Sequence, residues 1–439
     1  MASNQRLRIL YDGTVLRAGC DMNSSRSGVF VVASEILRTL IRIADVDVIA
    51  SAEALQDVSR YLASDVAFGA AHLISNGKPC MARTYWWLDR HGIPPERRRG
   101  ILLAAAWLPY RLLRKVFLRA FRWLPELLVG WTEWRMVREY RRHDAFLSPV
   151  FKADRLVRKS GLVRHTIVYD ALPLLFPELF VNAPQPWVKE LFDSFDDTDR
   201  CFAISQATKS DLLRFAKGLL PENVKVIPLA AAERFHPCRD AKEIDRVLRK
   251  YGVPTGRPYF LSLCSIEPRK NLPFAIRAFA EVAREHPDLL FVLAGGRWNG
   301  YSAEMEKALA PLGDLRDRVV FTGYVDDEDL SPLYSGATAF IYLSLYEGFG
   351  LPPLEAMQCG CPVLTSNTSS LPEVVGDAAL TVAPDDLSEA IAAMTRLADD
   401  IGLRKSLKER GIERSRLFSW DRAAEIILST LSGQGDKLR

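Results

Sequence analysis

The sequence predicts an α/β protein built from two Rossmann-like domains whose parallel sheets face each other across a cleft. Three observations lead there. The 439 residues exceed what one hydrophobic core serves, at roughly 100 to 200 residues per domain. Short apolar runs that end in polar, Gly or Pro residues alternate with helical patterns, as buried parallel strands and their crossover helices do. That alternation lapses over Leu229–Gly256 and then starts again, which separates two βαβ series.

In the first series the strand candidates are Leu7–Leu10, Val46–Ile49, Ala145–Leu147, Thr166–Val168 and Cys201–Ile204. In the second they are Tyr259–Cys264, Leu289–Leu293, Val319–Phe321, Ala339–Leu343 and Pro362–Leu364. The expected domains are 1–235 and 236–415, with a helix at Trp420–Leu431 that could pack on either and a frayed tail from Ser432. Sheets of this kind bind ligands at the carboxyl ends of strands, so chemistry is sought in the loops that follow them.

Composition narrows the class. A chain 48% hydrophobic and 26% charged is neither disordered nor low in complexity. Seven cysteines, an odd number with no CxxC pair, are no disulfide framework and point to a reducing compartment. The opening MASNQRLRILYDG lacks an apolar signal core, so export is not expected. Between Arg90 and Arg142 there are 13 Arg or Lys against 4 Asp or Glu, while the whole chain carries only +4. The anionic partner is therefore local. Within this insertion the Ile101–Trp134 stretch is too often interrupted by Pro109, Arg111, Arg114 and Lys115 to cross a bilayer. On a helix Leu113, Phe117, Ala120, Leu124 and Leu127 share one face and Arg111, Lys115, Arg119 and Arg122 another. That pattern suits first a helix lying in an anionic membrane surface; the alternatives are a core helix with a solvated basic face and, behind it, a calmodulin-like target helix.

Three clusters follow strands of the second series. In SIEPRKNL, Arg269 and Lys270 precede a helix, and two cations beside a helix N-terminus form an anion site. In Tyr346–Glu355, Gly348 and Gly350 allow close backbone approach, Pro352 and Pro353 suit a first helical turn, and the Gly348, Phe349, Gly350 and Leu351 amides can cradle phosphate. Glu347 lies in that loop and Glu355 on the helix behind it, where a carboxylate accepts paired sugar or ribose hydroxyls or complements the helix dipole. In Thr322–Val325 the Gly323, Tyr324 and Val325 backbone can meet a nucleobase. Base, ribose, diphosphate and an attached sugar together describe a nucleotide-sugar site. No Walker lysine loop and no GxGxxG spacing is present, which weakens kinase and dehydrogenase readings.

With these residues placed, the chain resembles the family 4 retaining glycosyltransferases of GT-B architecture. EPRKNL (267–272), VFTGYVDDEDLSPLYSGA (320–337) and EGFGLPPLEAMQCGCPV (347–363) occur in order, and Glu347 and Glu355 stand in that family's motif of two Glu with seven residues between them. The first half is similar through Asp12, Ser27-Gly28-Val29, Phe146–Pro149, Tyr169-Asp170 and ISQATKSDL (204–212). The resemblance implies that Arg269 and Lys270 hold the donor diphosphate, Glu355 the ribose, Glu347 the donor sugar near its reacting carbon, and Gly28 approaches the diphosphate from the other domain. It implies no metal and no cofactor beyond the donor substrate, and it leaves the acidic pairs 196–197, 326–327 and 385–386 as turns and helix starts. Tyr169 stands where members often have His before the Asp, and Leu147 where they have a turn His. Asp170 is the candidate for orienting the acceptor, and His165 reads as structural.

What the resemblance implies is a cytoplasmic enzyme, peripheral on the inner face of the plasma membrane. It would move mannose from GDP-mannose to a lipid-linked or growing glycan acceptor, without nucleic-acid partners. The alternatives are a UDP- or dTDP-sugar transferase, a sugar-nucleotide epimerase of the same fold, and a nucleotide-sugar-binding regulator.

Overall fold

The computed structural model describes residues 6–20, 28–51, 54–75, 124–151, 153, 155–180, 185–296 and 302–433. Its strands are β1 (Arg8–Asp12), β2 (Asp45–Ala50), β3 (His72–Ser75), β4 (Ala145–Ser148), β5 (Arg164–Val168), β6 (Arg200–Ala203), β7 (Val224–Val226), β8 (Tyr259–Leu263), β9 (Leu290–Ala294), β10 (Val319–Gly323), β11 (Ala339–Tyr342), β12 (Val363–Ser366) and β13 (Leu380–Val382). They form two parallel sheets ordered β3-β2-β1-β4-β5-β6-β7 and β10-β9-β8-β11-β12-β13. Each order reverses once, between β1 and β4 and between β8 and β11. These are the switch points where open α/β sheets bind ligands.

The sequence reason is plain in the central strands. Leu290–Ala294 reads Leu-Phe-Val-Leu-Ala without a polar residue, and all five residues are buried, as helices on both faces of a parallel sheet require. Three edge strands were not among the expected runs: β7, of three residues, and the pair β3 and β13. His72 and Thr381 stand exposed on that pair, so its polar composition hides it.

The helices that matter here are α1 (Gly28–Ile43), α2 (Leu55–Ser64), α3 (Leu124–Tyr140), α4 (Arg155–Ser160), α5 (Leu172–Leu175), α6 (Pro186–Asp193), α7 (Gln206–Phe215), α8 (Ala241–Lys250), α9 (Leu272–Glu285), α10 (Ser302–Leu309), α11 (Leu330–Gly336), α12 (Leu351–Gln358), α13 (Leu371–Val375), α14 (Leu387–Asp399), α15 (Ile401–Ser415) and α16 (Trp420–Leu431). Helix α16 is capped by Ser419, whose hydroxyl accepts the Arg422 amide at 3.3 Å, and buries Ala423, Ala424, Ile427 and Leu431. It packs on α1, and Arg42 donates to Asp421 at 2.6 Å. The end of the chain thus returns to the first sheet. The chain linking the sheets is fixed to α12, where the Gln358 side-chain amide donates to the Ala232 and Phe235 carbonyls at 3.1 and 2.8 Å. A buried cluster runs continuously from Ile9 and Val48 through Phe235 and Tyr334 to Met357 and Ile427.

The expected amphipathic faces of Arg111–Arg122 lie outside the described residues, as does most of the basic insertion. Of Leu124 and Leu127 only the helical backbone is described.

Candidate functional site

The second switch point brings two loops together. After β8 the chain makes a single 3-10 turn, Pro268–Lys270, and Asn271 enters α9 in the left-handed region at φ 56°, which Asn tolerates better than most residues. Its side-chain amide donates to the Pro384 carbonyl at 2.8 Å. After β11 the loop laces onto that turn: the Arg269 carbonyl accepts from the Leu345 amide at 2.9 Å and the Ser344 hydroxyl at 3.0 Å. Gly350 at φ 123° then turns the chain into α12, a conformation that needs glycine.

The side chains at this crossing form one ionic group. Glu347 accepts from Lys270 Nζ at 2.7 Å and from the Tyr342 hydroxyl at 2.8 Å through Oε1, and Arg269 donates to its Oε2. Lys270 also donates to the Tyr342 hydroxyl at 2.6 Å, with Nζ 5.0 Å from the ring centre. Arg269 reaches the Tyr346 carbonyl at 3.1 Å and Glu267 at 2.6 Å. Only 10%, 18% and 9% of the Glu347, Arg269 and Lys270 side chains remain exposed, so the charges act with little solvent screening. Burial by itself raises the Glu347 pKa, yet Arg269 and Lys270 outweigh it and bring it to about 2. The carboxylate is ionised at every working pH.

Eight residues on, Glu355 is treated in the opposite way. Burial raises its pKa to about 7, against the opposing hydrogen bond from Tyr334 and the charge of Arg234. The Tyr334 hydroxyl sits 3.1 Å from Oε2. Glu355 lies beyond the first turn of α12, and that turn holds no acidic residue, so complementing the helix dipole is not its place. At the neighbouring strand end Gly323 has φ 69°, Tyr324 is exposed, and the Val325 side chain is buried. Phe349 is also buried, edge-on to Phe418.

The first domain closes on the same loop. A Cβ on Gly348 would stand 2.2 Å from the Tyr169 carbonyl oxygen, a contact that only glycine permits. The Gly348 carbonyl accepts from the Ser205 and Thr208 hydroxyls at 2.7 and 3.1 Å, and Tyr346 bonds Asp211. Glu373 accepts the Gln206 and Ala207 amides at 2.9 and 3.1 Å, capping α7 from the other domain. Asp170 lies beside Gly348; burial raises its pKa, with the Leu172 amide and Arg269 opposing. Gly28 is the exposed first residue of α1.

Thus Arg269, Lys270, Glu347 and Glu267 meet, with Gly348 and Asp170 adjoining. Glu355 stands apart with Tyr334. Tyr342, Glu267, Ser205, Thr208 and Asp211 are residues that sequence reasoning did not single out. The last three lie within ISQATKSDL, and Tyr342 ends the strand before Glu347, so position was the available signal. Among the described residues no group of three or more His, Cys, Asp or Glu is placed to hold a metal ion; Asp386 caps α14.

A family model described as "Glycosyl transferases group 1" matches residues 243–414. Over 310 residues the chain is 31% identical to O-antigen chain mannosyltransferase B of Escherichia coli, covering 70% of this chain and 77% of that protein. The chain belongs to the group 1 glycosyl transferases. It is also 32% identical over 299 residues to the serotype-specific mannosyltransferase WbdA of E. coli, and the match spans 66% of this chain but 35% of that relative. Among solved structures, Anabaena Alr3699/HepE in complex with UDP and glucose superposes with a TM-score of 0.65 at 18% identity, over 97% of this chain and 100% of that one. WaaG, a glycosyltransferase involved in lipopolysaccharide biosynthesis, superposes with a TM-score of 0.60 at 14% identity, over 97% and 100% of the two chains. At such identities the likeness is one of fold. This glycosyl transferase has the GT-B architecture that its sequence suggests.

Proposed function

We propose that this enzyme transfers mannose from GDP-mannose, with retention at the anomeric carbon, to a lipid-linked or growing glycan in cell-surface polysaccharide assembly. The observation that carries the reading is the buried Arg269–Lys270–Glu347 group at the second switch point, facing Asp170 of the other domain. The names of the E. coli mannosyltransferases support the sugar. Arg269 and Lys270 neutralise the departing diphosphate, the role a divalent ion plays elsewhere, so no metal is needed. Glu355 accepts the ribose hydroxyls, the Gly323–Val325 backbone meets the base, and the Gly348–Leu351 amides hold phosphate and sugar, with Gly28 approaching from α1. The acceptor hydroxyl oxygen bonds the anomeric carbon on the face from which the diphosphate oxygen leaves, and that oxygen takes the hydroxyl proton. Asp170 orients the acceptor, and Glu347 stabilises charge developing on the sugar.

The acceptor side also fits an anionic membrane on the inner face of the plasma membrane. On α3 Trp131 and Trp134 are exposed, with the Arg135 and Arg138 guanidinium groups 4.8 and 5.4 Å from their ring centres, and exposed Arg141 and Arg142 follow. Interfacial Trp beside Arg suits headgroups. No described helix is long and apolar enough to cross a membrane.

The test is to incubate the enzyme, with and without EDTA, with GDP-mannose, UDP-glucose or dTDP-rhamnose and a polyprenyl-diphosphate-linked glycan. The expected result is addition of one α-linked mannose from GDP-mannose alone, unaffected by EDTA. Transfer only from a UDP or dTDP donor would replace the mannosyl reading, and interconversion of donors at C2 without transfer would replace transfer by epimerisation. Flotation with anionic but not zwitterionic vesicles, lost in Trp131→Ala with Trp134→Ala, tests the membrane face.

A further inference from the structure

The cations assigned to the donor diphosphate are already engaged. Resting on the functional reading above, we infer that Glu347 is a built-in competitor of the diphosphate: it holds Arg269 and Lys270, and diphosphate binding displaces its carboxylate toward the sugar.

The argument is one of charge and of proton donors. Both carboxylate oxygens of Glu347 are spent on these two cations, Oε1 on Lys270 at 2.7 Å and Oε2 on Arg269. Glu267 takes the other Arg269 terminal nitrogen at 2.6 Å. Two cations thus face two carboxylates, and the buried group is neutral as a whole. A diphosphate entering it meets the attraction of Arg269 and Lys270 and, within the same few ångströms, the repulsion of Glu347. Protonation does not relieve that repulsion, because the same cations hold the carboxyl pKa at about 2. Movement does. A buried carboxylate released from its cations needs a new partner, and the developing positive charge of the sugar supplies one. Recognition of the diphosphate and presentation of Glu347 then become a single event, and a donor with one phosphate, having less charge to spend, leaves Glu347 in place.

Tyr342 is the positioning residue of this device. Its buried hydroxyl accepts from Lys270 at 2.6 Å and donates to Glu347 at 2.8 Å, so it holds the competing pair together. Burial and the neighbouring Glu347 keep that phenol protonated, its pKa well above the ordinary value.

Calorimetric titration of GDP and GMP into the wild-type enzyme, Glu347→Gln, Tyr342→Phe and the double variant Arg269→Ala with Lys270→Ala decides the matter. Loss of one opposing charge at short range predicts that Glu347→Gln binds GDP about tenfold tighter, with a smaller gain for GMP, while transfer is lost. Tyr342→Phe preserves shape if the Gln variant fails to fold; it is expected to tighten GDP binding severalfold while kcat falls. Unchanged or weaker GDP binding in both variants, with binding lost in the double variant, overturns the competition and leaves the donor site standing. Wild-type affinity in the double variant overturns the site assignment, and this inference with it.

Discussion

The two domains furnish their shared cleft in different ways. The second presents a closed set of buried charges, Glu267, Arg269, Lys270 and Glu347, laced by Tyr342 and by main-chain bonds between two loops. The first meets the same loop with hydroxyls, a carbonyl and one half-buried acid: Ser205, Thr208, Tyr169 and Asp170. Fixed charge suits an anion whose geometry never varies, whereas neutral hydrogen bonds cost less to rearrange. On the function proposed above, the charged side holds the diphosphate, the constant part of the donor, and the other side orients the acceptor.

The largest expected effect comes from the charged side. Glu347→Ala should lower transfer by about 10²–10³-fold or more, as loss of a preorganised electrostatic group does, in an assay of acceptor glycosylation; near-normal turnover would break the comparison. Next, Arg269→Ala with Lys270→Ala should weaken donor binding about 10²-fold, read by calorimetry, whereas replacements on the neutral side should leave donor affinity nearly intact.

Gly348→Ala sharpens the contrast, because its Cβ would meet the Tyr169 oxygen at 2.2 Å. The overlap should cost about 1–3 kcal/mol, seen as lower stability in urea and as higher accessibility of the cleft to hydrogen exchange.

Glu355 gives the pH signature. Its folded pKa of about 7 lies above the ordinary 4.5, so the folded state favours the protonated form. The stability this contributes is complete below 4.5 and is lost as pH rises through about 7, on the order of 3 kcal/mol. Donor affinity should move the other way, rising through neutrality as the carboxylate becomes an acceptor for ribose hydroxyls. Glu355→Gln should flatten both profiles, measured by denaturation and by donor titration between about pH 5 and pH 8. Smallest of all, Ser205→Ala should cost about 1 kcal/mol and raise KM for the acceptor more than for the donor.

Much of this was legible beforehand, for identifiable reasons. Central strands such as Leu290–Ala294 are apolar throughout because both faces are covered, and the Gly-Pro punctuation of Gly348–Pro353 marks a loop entering a helix. Edge strands β3 and β13 escaped, since exposure lets them carry His72 and Thr381. The pairing of Glu347 with Arg269 and Lys270 escaped for another reason. It joins residues 77 and 78 positions apart and follows from β8 and β11 being neighbours, which strand order decides and local pattern does not. Tyr342 was hidden likewise, because an aromatic at a strand end is ordinary core until its hydroxyl has partners. The opposite pKa shifts of Glu347 and Glu355 arise from what surrounds each carboxylate and have no sequence signal.

The most direct test of the central claim, that the Arg269–Lys270–Glu347 group binds a nucleoside diphosphate sugar, is the melting temperature of the enzyme with GDP-mannose, UDP-glucose and the free nucleotides, beside the Arg269→Ala, Lys270→Ala double variant. A ligand that binds only the folded state raises that temperature. The account predicts a rise with GDP and GDP-mannose in the wild type and none in the variant. An equal rise in both proteins, or none with any nucleotide, would contradict it.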